Sequence, residues 1–150
     1  MSTNSRIGKK ERDGTIKAVY CHWDGYLEWN GQMLIDNYMD EDKIDKLISL
    51  GDISSLRERV EPNADEKHDF DNALEDVTIF YGRDRGETGV DCQTYWDAQG
   101  YISRGGEEYN YLYKDNDWYF AKPEIEYDGD DFTMTVKWEL VRDWIGKGVY

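Results

Sequence analysis

Between Phe132 and Leu140 the chain alternates without a break: Phe132, Met134, Val136, Trp138 and Leu140 against Thr133, Thr135, Lys137 and Glu139. A period of two puts the first set on one side of an extended strand and the second set on the other. Such a strand needs a sheet with one face on a core and one face in water, as antiparallel sheets provide. It is the best strand in the sequence, and it sets the class of fold to look for.

Other segments fit that class. Ser5 to Lys10 and Thr15 to Trp23 read as two strands around Asp13-Gly14, a strong hairpin signal. Both faces of the second strand are largely apolar, which predicts a central place in its sheet. Glu108 to Lys114 and Trp118 to Lys122 form a second hairpin around Asp115-Asn116-Asp117. Val77 to Tyr81 and Val90 to Tyr95 read as further strands, and Ile53 to Val60 reads as a strand or a turn leading into one. Helical spacing is found from Trp29 to Met39 (Leu34 with Tyr38, Ile35 with Met39). A second helix follows, with Asp40 as N-cap, Ile44, Leu47 and Ile48 as its stripe and Gly51 beyond its end. A short helical piece is expected over Asp97 to Ser103. Strands and helices do not alternate regularly, so the prediction is a single α+β domain over 1–150. Its sheet is mainly antiparallel or mixed, and two helices at about 29–50 pack on one face.

At 150 residues the chain is one ordinary domain, able to build a core without disulfides. Eighteen Lys and Arg against thirty-three Asp and Glu leave a net charge of −15, which opposes direct binding to nucleic acid or an anionic membrane. Twenty-two aromatic residues argue against disorder. The polar N-terminus and the lack of a long apolar run predict no signal peptide and no membrane span. Cys21 and Cys92 read as reduced thiols in a cytosolic protein.

Cys21-His22-Trp23-Asp24 is the densest group of ligand-type residues, but on a strand Cys21 and His22 point to opposite faces. His68, the only other histidine, reads as exposed in an acidic loop, and the expectation is no metal and no cofactor. Tyr81 to Gly89 is a Gly-rich loop without the ending of a phosphate-binding P-loop. Arg83 and Arg85 in it would either clamp an anionic ligand, with His22 nearby, or form salt bridges with neighbouring carboxylates. Tyr109, Tyr111 and Tyr113 share one strand face and offer either a core ladder or a protein contact. No GxSxG, HExxH or SxxK pattern occurs, so no enzyme is predicted.

The acids are the strongest global signal. Asp36, Asp40, Asp42 and Asp45 ring the two predicted helices, and the loops at 61–76 and 123–131 add twelve more. Acids four apart on a helix lie about 6 Å from each other, close to the spacing of neighbouring phosphates. A rigid array of this kind would fill a basic groove built for nucleic acid, or would simply keep the chain soluble.

Five stretches resemble a family of small proteins encoded by bacteriophages and prophages. They are Ser5-Arg6-Ile7-Gly8, Tyr20-Cys21-His22-Trp23-Asp24-Gly25-Tyr26, Leu50 to Leu56, Tyr81 to Glu87 and Glu107 to Asp115, with the heptapeptide 20–26 the most specific. The resemblance covers residues 5 to about 120 and implies a phage-derived accessory protein in the host cytoplasm. With the charge, it predicts a non-enzymatic inhibitor that binds a host nucleic-acid-handling defence machine, a CRISPR effector or restriction enzyme. The partner would be a host protein or complex with a basic groove. Asp36, Asp40, Asp42, Asp45, Tyr109, Tyr111 and Tyr113 would supply the contact. The alternative is a small nucleotide- or phosphate-binding protein or hydrolase using His22, Arg83 and Arg85.

Overall fold

The structure, a computed structural model, describes residues 2–145; of the single domain expected over 1–150, Met1 and residues 146–150 lie outside it. Among the described residues, ten strands and four α-helices form an α+β domain. They follow the order β1 (Ser5–Lys10), β2 (Ile16–Cys21), α1 (Gln32–Asn37), α2 (Glu41–Ser49), β3 (Ile53–Ser55), β4 (Ile79–Phe80), α3 (Tyr81–Arg85), β5 (Gln93–Tyr95), α4 (Ala98–Gly105), β6 (Tyr109–Lys114), β7 (Asp117–Ala121), β8 (Glu124–Asp128), β9 (Asp131–Thr135) and β10 (Glu139–Leu140). A π-helical turn over Leu27–Gly31 leads into α1.

Eight strands make one mixed sheet in the order β10-β7-β6-β1-β2-β3-β4, with β5 also paired to β2. Five of its seven pairings are antiparallel; β1 with β6 and β2 with β3 are parallel. β2 is central, as its two apolar faces predicted. The turn after β6 needs left-handed residues at both central positions, and Asp115 (φ 51) and Asn116 (φ 62) supply them.

The alternation of side chains separates two cores. On one face Ile7, Val19, Cys21, Tyr109, Tyr111, Trp118 and Phe120 cluster with the buried side chains of α1 and α2. On the other, Ile16, Ala18, Leu112 and Ala121 meet Tyr101 and Ile102 of α4. Trp118 ties the first core to the helices through its indole N–H, which donates to the Tyr38 carbonyl at 2.7 Å.

Four expectations change. The strand Phe132–Leu140 is two strands, because β9 pairs with β8 while β10 pairs with β7 of the main sheet, and one straight strand cannot follow both. Val136 and Trp138 still turn inward, Trp138 stacking on Tyr101 at 6.3 Å. The acidic loop 123–131 is instead the first strand and turn of a separate two-stranded sheet, β8–β9, closed at Gly129 (φ 66). The strand expected over 77–81 shrinks to β4, since Tyr81 starts the helical turn α3 inside the expected Gly-rich loop. Finally, the 53–60 segment is a strand only over β3, followed by a single parallel bridge of Arg59 with Val77.

Candidate interaction surface

The heptapeptide 20–26 is a strand end and the turn that leaves it. Cys21 is fully buried, and burial pushes its thiol up to about 11. Asp24 takes φ 57, and Tyr26 donates its hydroxyl hydrogen to the Asp24 carboxylate at 3.0 Å. Gly25 runs against the N-terminal segment, where a Cβ would lie 2.8 Å from the Thr3 carbonyl oxygen. The His22 imidazole accepts or donates at Nδ1 with the Tyr20 hydroxyl, 2.8 Å away. These residues hold the corner of the sheet; Cys21 faces the core and shares no ligand cluster with His22.

The alternative anion site does not assemble. Every nitrogen of the Arg83 guanidinium has an acceptor: Nη1 donates to the Val60 carbonyl at 2.6 Å, Nη2 to the Thr78 carbonyl at 2.8 Å, and Nε to Asp84 at 2.8 Å. Arg85 pairs with Glu87 at 2.9 Å and lies over the Phe70 ring at 4.5 Å. Nothing among the hydrogen bonds of the described residues joins His22 to either arginine. His68, expected to be exposed, has a fully buried side chain. The Leu74 N–H donates to His68 Nδ1 at 3.0 Å, so Nε2 carries the proton facing Asp84 at 3.3 Å. Burial alone would raise the Asp84 pKa. Hydrogen bonds from Arg83 and the Phe80 N–H, with the Arg83 charge, outweigh it and lower the value.

The tyrosine row also lies inward. Tyr109, Tyr111 and Tyr113 are all buried, and Tyr111 donates its hydroxyl hydrogen to the Gly25 carbonyl at 2.7 Å. Their face is the one covered by α1 and α2, so it serves the core ladder and presents nothing to a partner.

Asp36, Asp40, Asp42 and Asp45 are all exposed on α1, α2 and the link between them. Asp40 caps α2, accepting from the Asp42 N–H at 3.2 Å, and Asp36 accepts from Gln32 at 2.9 Å. Asp45 binds the ammonium of Lys9 at 2.8 Å, with Glu11 and Glu41 each 3.9 Å from the same nitrogen. Burial of Lys9 opposes its charge, but the hydrogen bond and charge of Asp45, helped by the two glutamates, raise its pKa. Lys10, Arg12 and Lys17 line an open groove of about 620 Å³ beside Glu41 and Asp42. The flank carrying Asp42 and Asp45 therefore meets the chain's own basic turn, and Asp36 and Asp40 lie outside that groove.

Sequence reasoning missed a second surface. Trp96, Tyr127, Phe132 and Ile125 are exposed by 85%, 77%, 66% and 49%, and the last three lie on β8–β9. The signal was present in Glu124-Ile125-Glu126-Tyr127-Asp128-Gly129, an alternation closed by Asp-Gly. Its acids read as a loop because no apolar run accompanies them.

Among the described residues no group of His, Cys, Asp and Glu is arranged to hold a metal, and no helix is long and apolar enough to cross a membrane. No protein family, curated protein or solved structure matches the chain.

Proposed function

We propose that the chain is a non-enzymatic binding protein, a phage accessory factor that occupies the basic groove of a host nucleic-acid-handling defence enzyme. The observation that carries this reading is the set of exposed carboxylates on α1 and α2, whose apolar sides are anchored in the main core. Charges on a rigid support keep their spacing when they meet a complementary surface, so little ordering entropy opposes binding. The resemblance to phage proteins and the net charge of −15 support the same reading.

The test is competition. A labelled DNA duplex bound to a purified CRISPR effector or restriction enzyme should be displaced by the chain, with an association rate that falls steeply as salt rises. Asp36→Lys with Asp42→Lys leaves the Asp40 cap and the Lys9–Asp45 pair intact, so this variant should fold and displace DNA poorly. Equal displacement by parent and variant, or none by the parent across both enzyme classes, would sink the proposal.

A further inference from the structure

We propose that the outer edge of β8 is a docking site for an extended segment of a partner protein in which basic residues alternate with apolar ones. Among the described residues β8 pairs only with β9, so its other edge has no ladder partner, and all five of its residues are exposed. An open edge of this kind is a template for a further strand. A two-stranded sheet is also marginal in water by itself, and a third strand would complete it.

The side chains on β8 define what that strand must carry. Pairing of Ile125 with Met134 and of Tyr127 with Phe132 puts these four on one face of the hairpin. Glu124, Glu126 and Asp128 project from the other. Residues 124–135 contain five acids and no Lys or Arg, and among the described residues none of the five forms a salt bridge.

A strand added beside β8 places every second residue within about 5 Å of these carboxylates; Lys or Arg is the complement there. Its intervening residues fall on the apolar face. There a groove of about 540 Å³, partly walled by Ile102, Pro123, Ile125 and Met134, gives them somewhere to go. Pairing at β9 would set the basic residues against Asp131, Thr133 and Thr135, one acid where β8 offers three, so charge favours the β8 edge. A second copy of the chain is a poor occupant, because β8 against β8 opposes acid to acid. This edge is separate from the α1–α2 surface: the hairpin is rooted in the α4-side core, and the proposal stands without the groove-binding reading.

The probes are three labelled heptapeptides titrated into the full chain by fluorescence anisotropy: Lys-Val-Lys-Trp-Lys-Val-Lys, the same residues in two blocks, and the alternating peptide with N-methyl groups on its backbone. The alternating peptide should bind, and the block and methylated forms should bind at least about tenfold more weakly. Glu126→Lys should weaken the alternating peptide by at least about tenfold while leaving the melting temperature unchanged, since the residue is exposed. The Asp36→Lys, Asp42→Lys variant should bind it like the parent, which separates this result from the fate of the groove-binding reading. Equal binding of alternating and block peptides, or parent-like binding by Glu126→Lys, overturns the proposal. So does a concentration-dependent dimer that Glu126→Lys abolishes, which would make the occupant a second copy.

Discussion

Arg59 shows at the scale of one residue how this chain uses its few cations. Its guanidinium takes Asp76 in a two-pronged contact (2.9 Å for each nitrogen) and Glu66 at 2.8 Å. Hydrogen bonds from Arg59 hold both carboxyls below their usual range. Arg83 fastens Val60 to Thr78 just before β4, and Lys9 is buried beside three acids. These three cations are engaged in internal contacts, while Lys10, Arg12 and Lys17 stay exposed around the first turn. Arg83→Lys should lose about 1–3 kcal/mol, because an ammonium cannot reach two carbonyls and a carboxylate together; denaturant melts measure it. Asp84→Asn carries a pH signature. The folded pKa of Asp84 is lowered, so its contribution is present above the unfolded carboxylate value of about 3.9 and vanishes as pH falls through the folded one. The deficit of Asp84→Asn should therefore be largest near neutrality and shrink below pH of about 4. A deficit that stays constant would contradict this account.

Gly51 joins residue to element. It ends α2 at φ 86, and a Cβ there would collide with the Val90 carbonyl oxygen, which accepts from the Asp52 N–H at 2.8 Å. Gly51→Ala should cost more than about 1 kcal/mol by thermal melting. At the other end of α2, Asp40→Ala should cost about 1 kcal/mol, the usual worth of an N-cap. Both ends of this helix were legible in the sequence because cap chemistry is local, as were the turns at Asp13-Gly14 and Asp115-Asn116. The tyrosine row shows what a local pattern leaves open. Alternation places Tyr109, Tyr111 and Tyr113 on one face, but only the arrival of α1 and α2 decides that this face is buried. The strand Phe132–Leu140 failed for a similar reason: its pattern is intact through Trp138, while its pairing partner changes midway. At the candidate surface the acids were readable by position, but the pairing of Asp45 with Lys9 was not, because the two meet only through packing.

For the molecule as a whole, unequal burial against the same core predicts unequal thiols. Cys21 is buried with its pKa raised to about 11, whereas Cys92 is half-buried and beside a groove. A thiol reagent under native conditions should modify one cysteine quickly and the other only on unfolding; two equally fast thiols would contradict the placement of Cys21. The parallel pairing of β1 with β6 has another consequence. β1 cannot receive its second neighbour until residues 109–114 have been synthesised, so the first hairpin leaves the ribosome with a bare rim, the kind of feature that recruits wrong partners during biosynthesis. That rim carries Arg6, Lys9 and Lys10 within six residues, in a chain otherwise short of positive charge. Like charges on that rim repel one another, which opposes pairing between two nascent copies before β6 arrives.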